Sequence, residues 1–174
     1  MPYPPQLVDP MRKELTAIGV TELTTVDEVD QAMSDIGDKT ALVIVNSVCG
    51  CAAANARPAV RLAMHAPAQP DRYLTVFAGQ DLEATAQMRS HLQGVPPSSP
   101  FLALFKGGQP VFILERRNIE GRTASAIAYD LASAYESYCS SDQNQSNQPE
   151  AGDAPDADGQ ESDPTVSETF RSIL

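Results

Sequence analysis

Thr40-Ala-Leu-Val-Ile-Val-Asn46 is an unbroken, β-branched apolar run that leads within three residues to Cys49-Gly-Cys51. A run of this kind has no polar face to give to water, so it predicts a strand buried on both sides in a largely parallel sheet. Such a strand needs crossover helices on either face, which restricts the chain to an α/β architecture. It also fixes where the cysteines fall, between the end of a strand and the start of the Ala-rich segment Ala52 to His65.

The flanking segments supply the remaining parts. Asp9-Pro10 with Met11, Leu15 and Ile18 predicts a short helix with Asp9 at its N-cap and Gly19 after it. Thr25-Val-Asp-Glu28 is a capping box for a second helix running to Ile36. Pro58 predicts a kink in the helix after the cysteines. Tyr73 to Phe77 reads as a strand, Asp81 as the cap of a helix carrying Leu82, Met88 and Leu92, and Phe101 to Phe105 with Val111 to Glu115 as a hairpin across Lys106-Gly-Gly. Thr123 opens a last helix ending near Cys139. The order β-α-β-α-β-β-α predicts a four-stranded mixed sheet flanked by helices, with extra N-terminal helices, and resembles the thioredoxin core.

Charge separates the chain into two regions. The net charge of −11 is concentrated after residue 139, where Asp142, Glu150, Asp153, Asp156, Asp158, Glu161, Asp163 and Glu168 face a single base, Arg171. Residues 1–139 are read as the folded domain. Residues 140–174, rich in Ser, Asp, Gln, Asn and Pro, are read as a disordered acidic tail that serves solubility, high-salt adaptation or partner binding, with Val166 to Leu174 as a transient helix or docking segment. No Lys/Arg cluster interleaved with aromatics suggests nucleic acid. The start Met1-Pro-Tyr-Pro-Pro has no basic, apolar leader pattern, and no apolar run is long enough to span a bilayer, so the expectation is a cytoplasmic protein without a membrane partner.

In a reducing compartment a close cysteine pair points to redox chemistry or metal binding. A cysteine at a helix N-terminus lies near unpaired N–H groups and the positive end of the helix dipole, which favour thiolate. Cys49 is therefore the expected nucleophile and Cys51 the resolving thiol. One intervening residue is expected to hold the two Cα atoms near the outer limit for a disulfide, with Gly50 absorbing the strain and the pair more oxidising as a result. Structural zinc usually takes four ligands, and only Cys139, His65 and His91 remain as donors, at unrelated spacings, so no metal is expected. His65 and His91 fall near helix C-termini, where an imidazolium is favourable. Cys139 is either incidental or a second resolving thiol. Arg57 either lowers the cysteine pKa or holds a substrate carboxylate, or it belongs to a solvated helical face.

Pro100, before Phe-Leu-Ala-Leu-Phe and Lys-Gly-Gly, resembles the cis-proline that lies beside the redox pair in thioredoxins, although a trans proline merely opening a strand would read the same way. By that resemblance the backbone of Ser99 pairs with extended substrate and Pro100 fixes the loop. The segments Pro10-Met-Arg-Lys-Glu-Leu15, Val45-Asn-Ser-Val-Cys-Gly-Cys-Ala52, Asn55-Ala-Arg-Pro58, Val76-Phe-Ala-Gly-Gln-Asp81, Pro96-Pro-Ser-Ser-Pro100 and Ile119-Glu-Gly-Arg122 resemble, in order, the bacilliredoxin family over residues 3–139. That resemblance implies removal of bacillithiol from S-bacillithiolated client proteins, with bacillithiol as thiol co-substrate and no bound cofactor. It also sets Asn46, Ser47, Asn55 and Arg57 near the site. Unlike ordinary thioredoxins, the first strand offers no carboxylate as a base for Cys51. The competing readings are a general protein disulfide isomerase or reductase, and a redox-inert interaction module.

Overall fold

The computed structural model describes residues 2–140; the tail residues 141–174, with the expected disorder and the Val166–Leu174 segment, lie outside the described residues. The elements in chain order are α1 (Pro5–Thr16), β1 (Thr21–Glu22), α2 (Val26–Ile36), β2 (Thr40–Asn46), a π-helical turn (Ala52–Ala56) continuing into α3 (Arg57–Ala63), β3 (Arg72–Phe77), α4 (Leu82–Ser90), β4 (Phe101–Lys106), β5 (Gln109–Leu114), α5 (Arg116–Ile119) and α6 (Ala124–Cys139).

The sheet has the order β1-β3-β2-β4-β5. β2 and β3 run parallel, and β4 pairs antiparallel with both β2 and β5. This mixed sheet, with helices on both faces, is thioredoxin-like. It has five strands rather than four. The added strand pairs only Thr21 with Leu74 and Glu22 with Thr75, and two residues are too short to show an alternating pattern.

Every residue of β2 is buried, and its side chains alternate between two cores as strand geometry requires. Leu42 and Ile44, with Leu102 and Leu104 of β4, pack against Leu15, Val60, Ile127, Leu131 and Tyr135. Val43 and Val45, with Phe101 and Phe105, pack against Val29, Met33, Ile36 and Met88. The apolar run is the shared wall of both cores, which is why it carries no polar position between Thr40 and Asn46.

Helix starts follow the sequence in part. The Thr25–Glu28 capping box forms as read. α1 begins at Pro5 rather than after Asp9, so Pro10 lies inside the helix. Val8 and Leu15 are both buried, and their burial extends the helix toward the N-terminus, while the carbonyl that Pro10 leaves free belongs to exposed Gln6. Asp81 sits at the α4 N-cap but makes no side-chain cap bond. Its carboxylate instead accepts two hydrogen bonds from Arg12, at 2.8 and 2.9 Å, because a guanidinium fork outcompetes a single backbone N–H. At Pro58 the helix widens into the preceding π turn and continues, which keeps the Pro58 ring clear of the carbonyl four residues back.

Candidate redox site

β2 ends at Asn46, a loop of three residues follows, and the helix starts at Gly50. The carbonyl of Cys49 accepts from the N–H groups of Ala52 and Ala53, at 3.0 and 3.3 Å. The first-turn N–H groups of Gly50 and Cys51 have no intrahelical acceptor. Cys49 and Cys51 are half-buried, Gly50 is exposed, and the two cysteines are joined in a disulfide.

The Cα separation is 5.5 Å, within the common range for disulfides and not at its outer limit. The expected distance strain is absent because the helical turn folds Cys51 back toward Cys49. Gly50 does not occupy positive φ, and a Cβ placed there would meet nothing within 4 Å. Neither backbone conformation nor local crowding demands glycine at this position.

The peptide bond between Ser99 and Pro100 is cis. Phe101, the next residue, pairs with Val45, which precedes Asn46. The Pro100 loop therefore reaches the same end of the sheet as the cysteine loop. Ser99 is half-buried and Pro100 buried.

The supporting residues form a polar network beneath the cysteines. The Asn46 side-chain oxygen accepts from the Ser47 N–H at 2.9 Å, and the Ser47 hydroxyl accepts from the Cys49 N–H at 3.4 Å. Arg57 donates to Asn46 Oδ1 at 3.1 Å and to the Ser47 carbonyl at 3.2 Å. Its other face meets Glu14, with Nε to Oε2 at 2.8 Å and Nη2 to Oε1 at 3.3 Å. Arg57 is only 3% exposed. It is neither on a solvated face nor open to a substrate carboxylate, since Glu14 occupies its fork. Asn55 donates to the Arg122 carbonyl and so ties the π turn to the segment before α6, a bracing contact.

Glu14 is the residue that the sequence reading missed. It lies in the Pro10-to-Leu15 segment, but only the buried partner on a distant helix reveals its purpose. Cys139 is also relocated. It ends α6 beside Thr40, Asp71 and Lys106, at the opposite end of β2 from Asn46, and burial pushes its thiol pKa up. His65 and His91 lie at the C-terminal ends of α3 and α4, away from the redox pair in sequence; the His65 ring meets the Arg61 carbonyl, and His91 Nε2 lies 3.9 Å from Asp30. A cavity of about 710 Å³ lies elsewhere, between β1, α2 and the start of β3, and includes none of the expected site residues.

A close cysteine pair at a helix N-terminus on a thioredoxin-like sheet marks a thiol–disulfide oxidoreductase. The family described as Disulphide isomerase matches residues 3–139. Two bacilliredoxins of Salinibacter ruber are 56% identical over 174 residues and 50% identical over 177 residues, each alignment covering 99% of both chains. A bacilliredoxin of Halalkalibacterium halodurans is 50% identical over 137 residues, covering 79% of this chain and 94% of its own. The chain belongs to the bacilliredoxin family. Among solved structures it is similar to a thioredoxin of Malassezia sympodialis, with 17% identity, a TM-score of 0.46 and coverage of 67% and 92% of the two chains. No helix among the described residues is long and apolar enough to cross a membrane.

Proposed function

We propose that the chain removes bacillithiol from S-bacillithiolated proteins, with Cys49 as nucleophile and Cys51 as resolving thiol. The observation that supports the reading is the Cys49–Cys51 pair at the start of the helix, whose Cα atoms are 5.5 Å apart, a separation that a disulfide spans. In the reduced chain the Cys49 thiolate, favoured by the first-turn N–H groups and the helix dipole, attacks the bacillithiol sulfur of the client mixed disulfide. The client–bacillithiol bond breaks, the client leaves as thiolate, and a Cys49–bacillithiol disulfide remains. Cys51 then attacks the Cys49 sulfur, expels bacillithiol as thiolate, and closes the internal disulfide. An external thiol reductant supplies the two electrons that restore the dithiol. Ser99 offers main-chain hydrogen bonds to an extended client segment, and Pro100 fixes that loop. Bacillithiol is a co-substrate, the clients are the macromolecular partners, and the compartment is the reducing cytoplasm.

The test is intact-mass analysis of the reduced Cys51→Ala variant after mixing with a bacillithiolated client and, separately, a glutathionylated one. Transfer of the bacillithiol adduct to Cys49, abolished by Cys49→Ala and much weaker from the glutathionylated client, supports the reading. No transfer while Cys49 still reacts with iodoacetamide overturns it. Equal transfer from both clients favours general disulfide exchange instead.

A further inference from the structure

α1 precedes the first parallel crossover of the sheet, yet two of its residues reach the C-terminal ends of β2 and β3 and a third meets Arg57 of α3. The Met11 carbonyl accepts from Asn46 Nδ2 at 3.5 Å, Arg12 lies over the Phe77 ring at 5.2 Å, and Glu14 holds Arg57. The Glu14–Arg57 pair is asymmetric, with side-chain exposures of 41% and 2%. The buried cation touches the Ser47 carbonyl, two residues before Cys49, and the anion on α1 cancels its charge.

We infer that Glu14 is a positioning residue for the thiol chemistry: through Arg57 it fixes the Asn46–Cys49 loop and neutralises the buried guanidinium that bonds to Asn46 and the Ser47 carbonyl. This rests on the reading of Cys49 as nucleophile. The other charged groups at this end of the sheet are committed elsewhere. Arg12 bridges Glu22 and Asp81, joining α1 to β1 and the turn after β3. Arg122, before α6, pairs with Asp130. Arg89 of α4 reaches the Ser98 carbonyl at 3.5 Å, and after β5 Arg116 pairs with Glu120 and Arg117 with Glu115. None of these hydrogen-bonds to residues 46–51 among the described residues. Arg57 is the charged side chain at this end of the sheet that bonds directly to residues 46 and 47, and Glu14 is its ionic partner.

Removing one charge leaves the other acting on the thiolate across a poorly hydrated segment. Glu14→Gln leaves Arg57 uncancelled, so the Cys49 thiolate is favoured and its pKa falls. Arg57→Gln leaves a carboxylate, so the pKa rises. Each shift is expected to be roughly half to one unit, and the double variant returns close to the parent. A stabilised thiolate also favours the dithiol, so Glu14→Gln raises the midpoint potential of the Cys49–Cys51 couple.

The measurement is the pH dependence of iodoacetamide alkylation of the reduced full-length chain in a Cys51→Ala, Cys139→Ala background. The midpoint potential is read with all cysteines present. Opposite shifts of the two single variants, with restoration in the double, establish the inference. Shifts of the same sign, or a Glu14→Gln shift below about 0.2 unit, overturn it, since a bare structural brace would lower stability without moving the profile. If Arg57→Gln does not fold, Glu14→Asp replaces it: the Asp variant must keep the parent pKa where the Gln variant does not, and equal shifts in both refute the role of charge. No client or bacillithiol enters these assays, so their failure and failure of the transfer experiment are separable.

Discussion

Cys139 is the third thiol of the chain, and its position decides how a Cys49 mixed disulfide can be resolved. Thr40 and Asn46 are the two ends of β2; Cys139 adjoins the first and the cysteine loop follows the second. Six strand steps at about 3.3 Å separate those ends by ~20 Å. A disulfide requires Cα atoms within about 7 Å, so closing a Cys49–Cys139 bond would require dismantling β2 or α6. Both carry fully buried residues of the same core. Burial also raises the Cys139 pKa, which reduces its thiolate at neutral pH. Replacing Cys139 by Ala should therefore leave release of bacillithiol from Cys49 within a factor of about two of the parent, a barrier change below ~0.5 kcal/mol. Replacing Cys51 by Ala should instead arrest the chain as the Cys49 adduct until an external thiol is added. Single-turnover release, quenched by acid and read by intact mass, measures both. A tenfold slowing in Cys139→Ala, or a monomeric Cys49–Cys139 disulfide in Cys51→Ala, would refute the placement of Cys139 at the far end of the sheet.

Three further outcomes follow from the same geometry. Glu14→Ala should cost about 3 kcal/mol in urea unfolding and Arg57→Met only ~1–2, because the first strands a buried cation while the second leaves a carboxylate that water can reach; the reverse order would contradict the pairing described. The Asp71 carboxylate is held below its ordinary pKa, first by the Thr40 N–H and then by the Thr40 hydroxyl, both at 2.8 Å. A depressed carboxylate contributes stability that is present above its unfolded pKa near 3.9 and lost as pH falls through the folded value, so the urea midpoints of parent and Asp71→Asn should converge on going from pH 6 to pH 3. A constant difference across that range would rule out the assigned cause. Gly50→Ala should leave the unfolding free energy unchanged within about 0.5 kcal/mol or raise it slightly, since alanine suits a helical first turn and meets no neighbour; a loss above 1 kcal/mol would show that glycine is needed for the fold itself.

What could be read from the sequence follows the range of the interaction concerned. The run from Thr40 to Asn46 announces itself because burial on both faces excludes every polar residue, and the capping box at Thr25 because both of its partners lie within four residues. β1 could not be read, since a two-residue strand held by β3 has no periodicity of its own. The α1 start was misplaced for a related reason: local capping chemistry favoured Asp9-Pro10, but burial of Val8 against the core outweighs it. Asp81 was assigned to the nearest backbone and went to Arg12, 69 residues away.

The site divides along the same line. Cys49 and Cys51 are legible because the strand, the spacing and the helix start are all local, whereas Arg57 was ambiguous because helical position alone does not say whether an arginine faces water. Its burial is decided by Glu14, 43 residues earlier, together with Asn46 and the Ser47 carbonyl. Four acceptor atoms converge on one guanidinium, and their bonds offset the desolvation cost of burying the cation. A lysine could not span the set. The Pro10-to-Leu15 segment thus does more than pack against the core through Leu15: it supplies the counter-charge without which Arg57 could not stand beneath the cysteine loop.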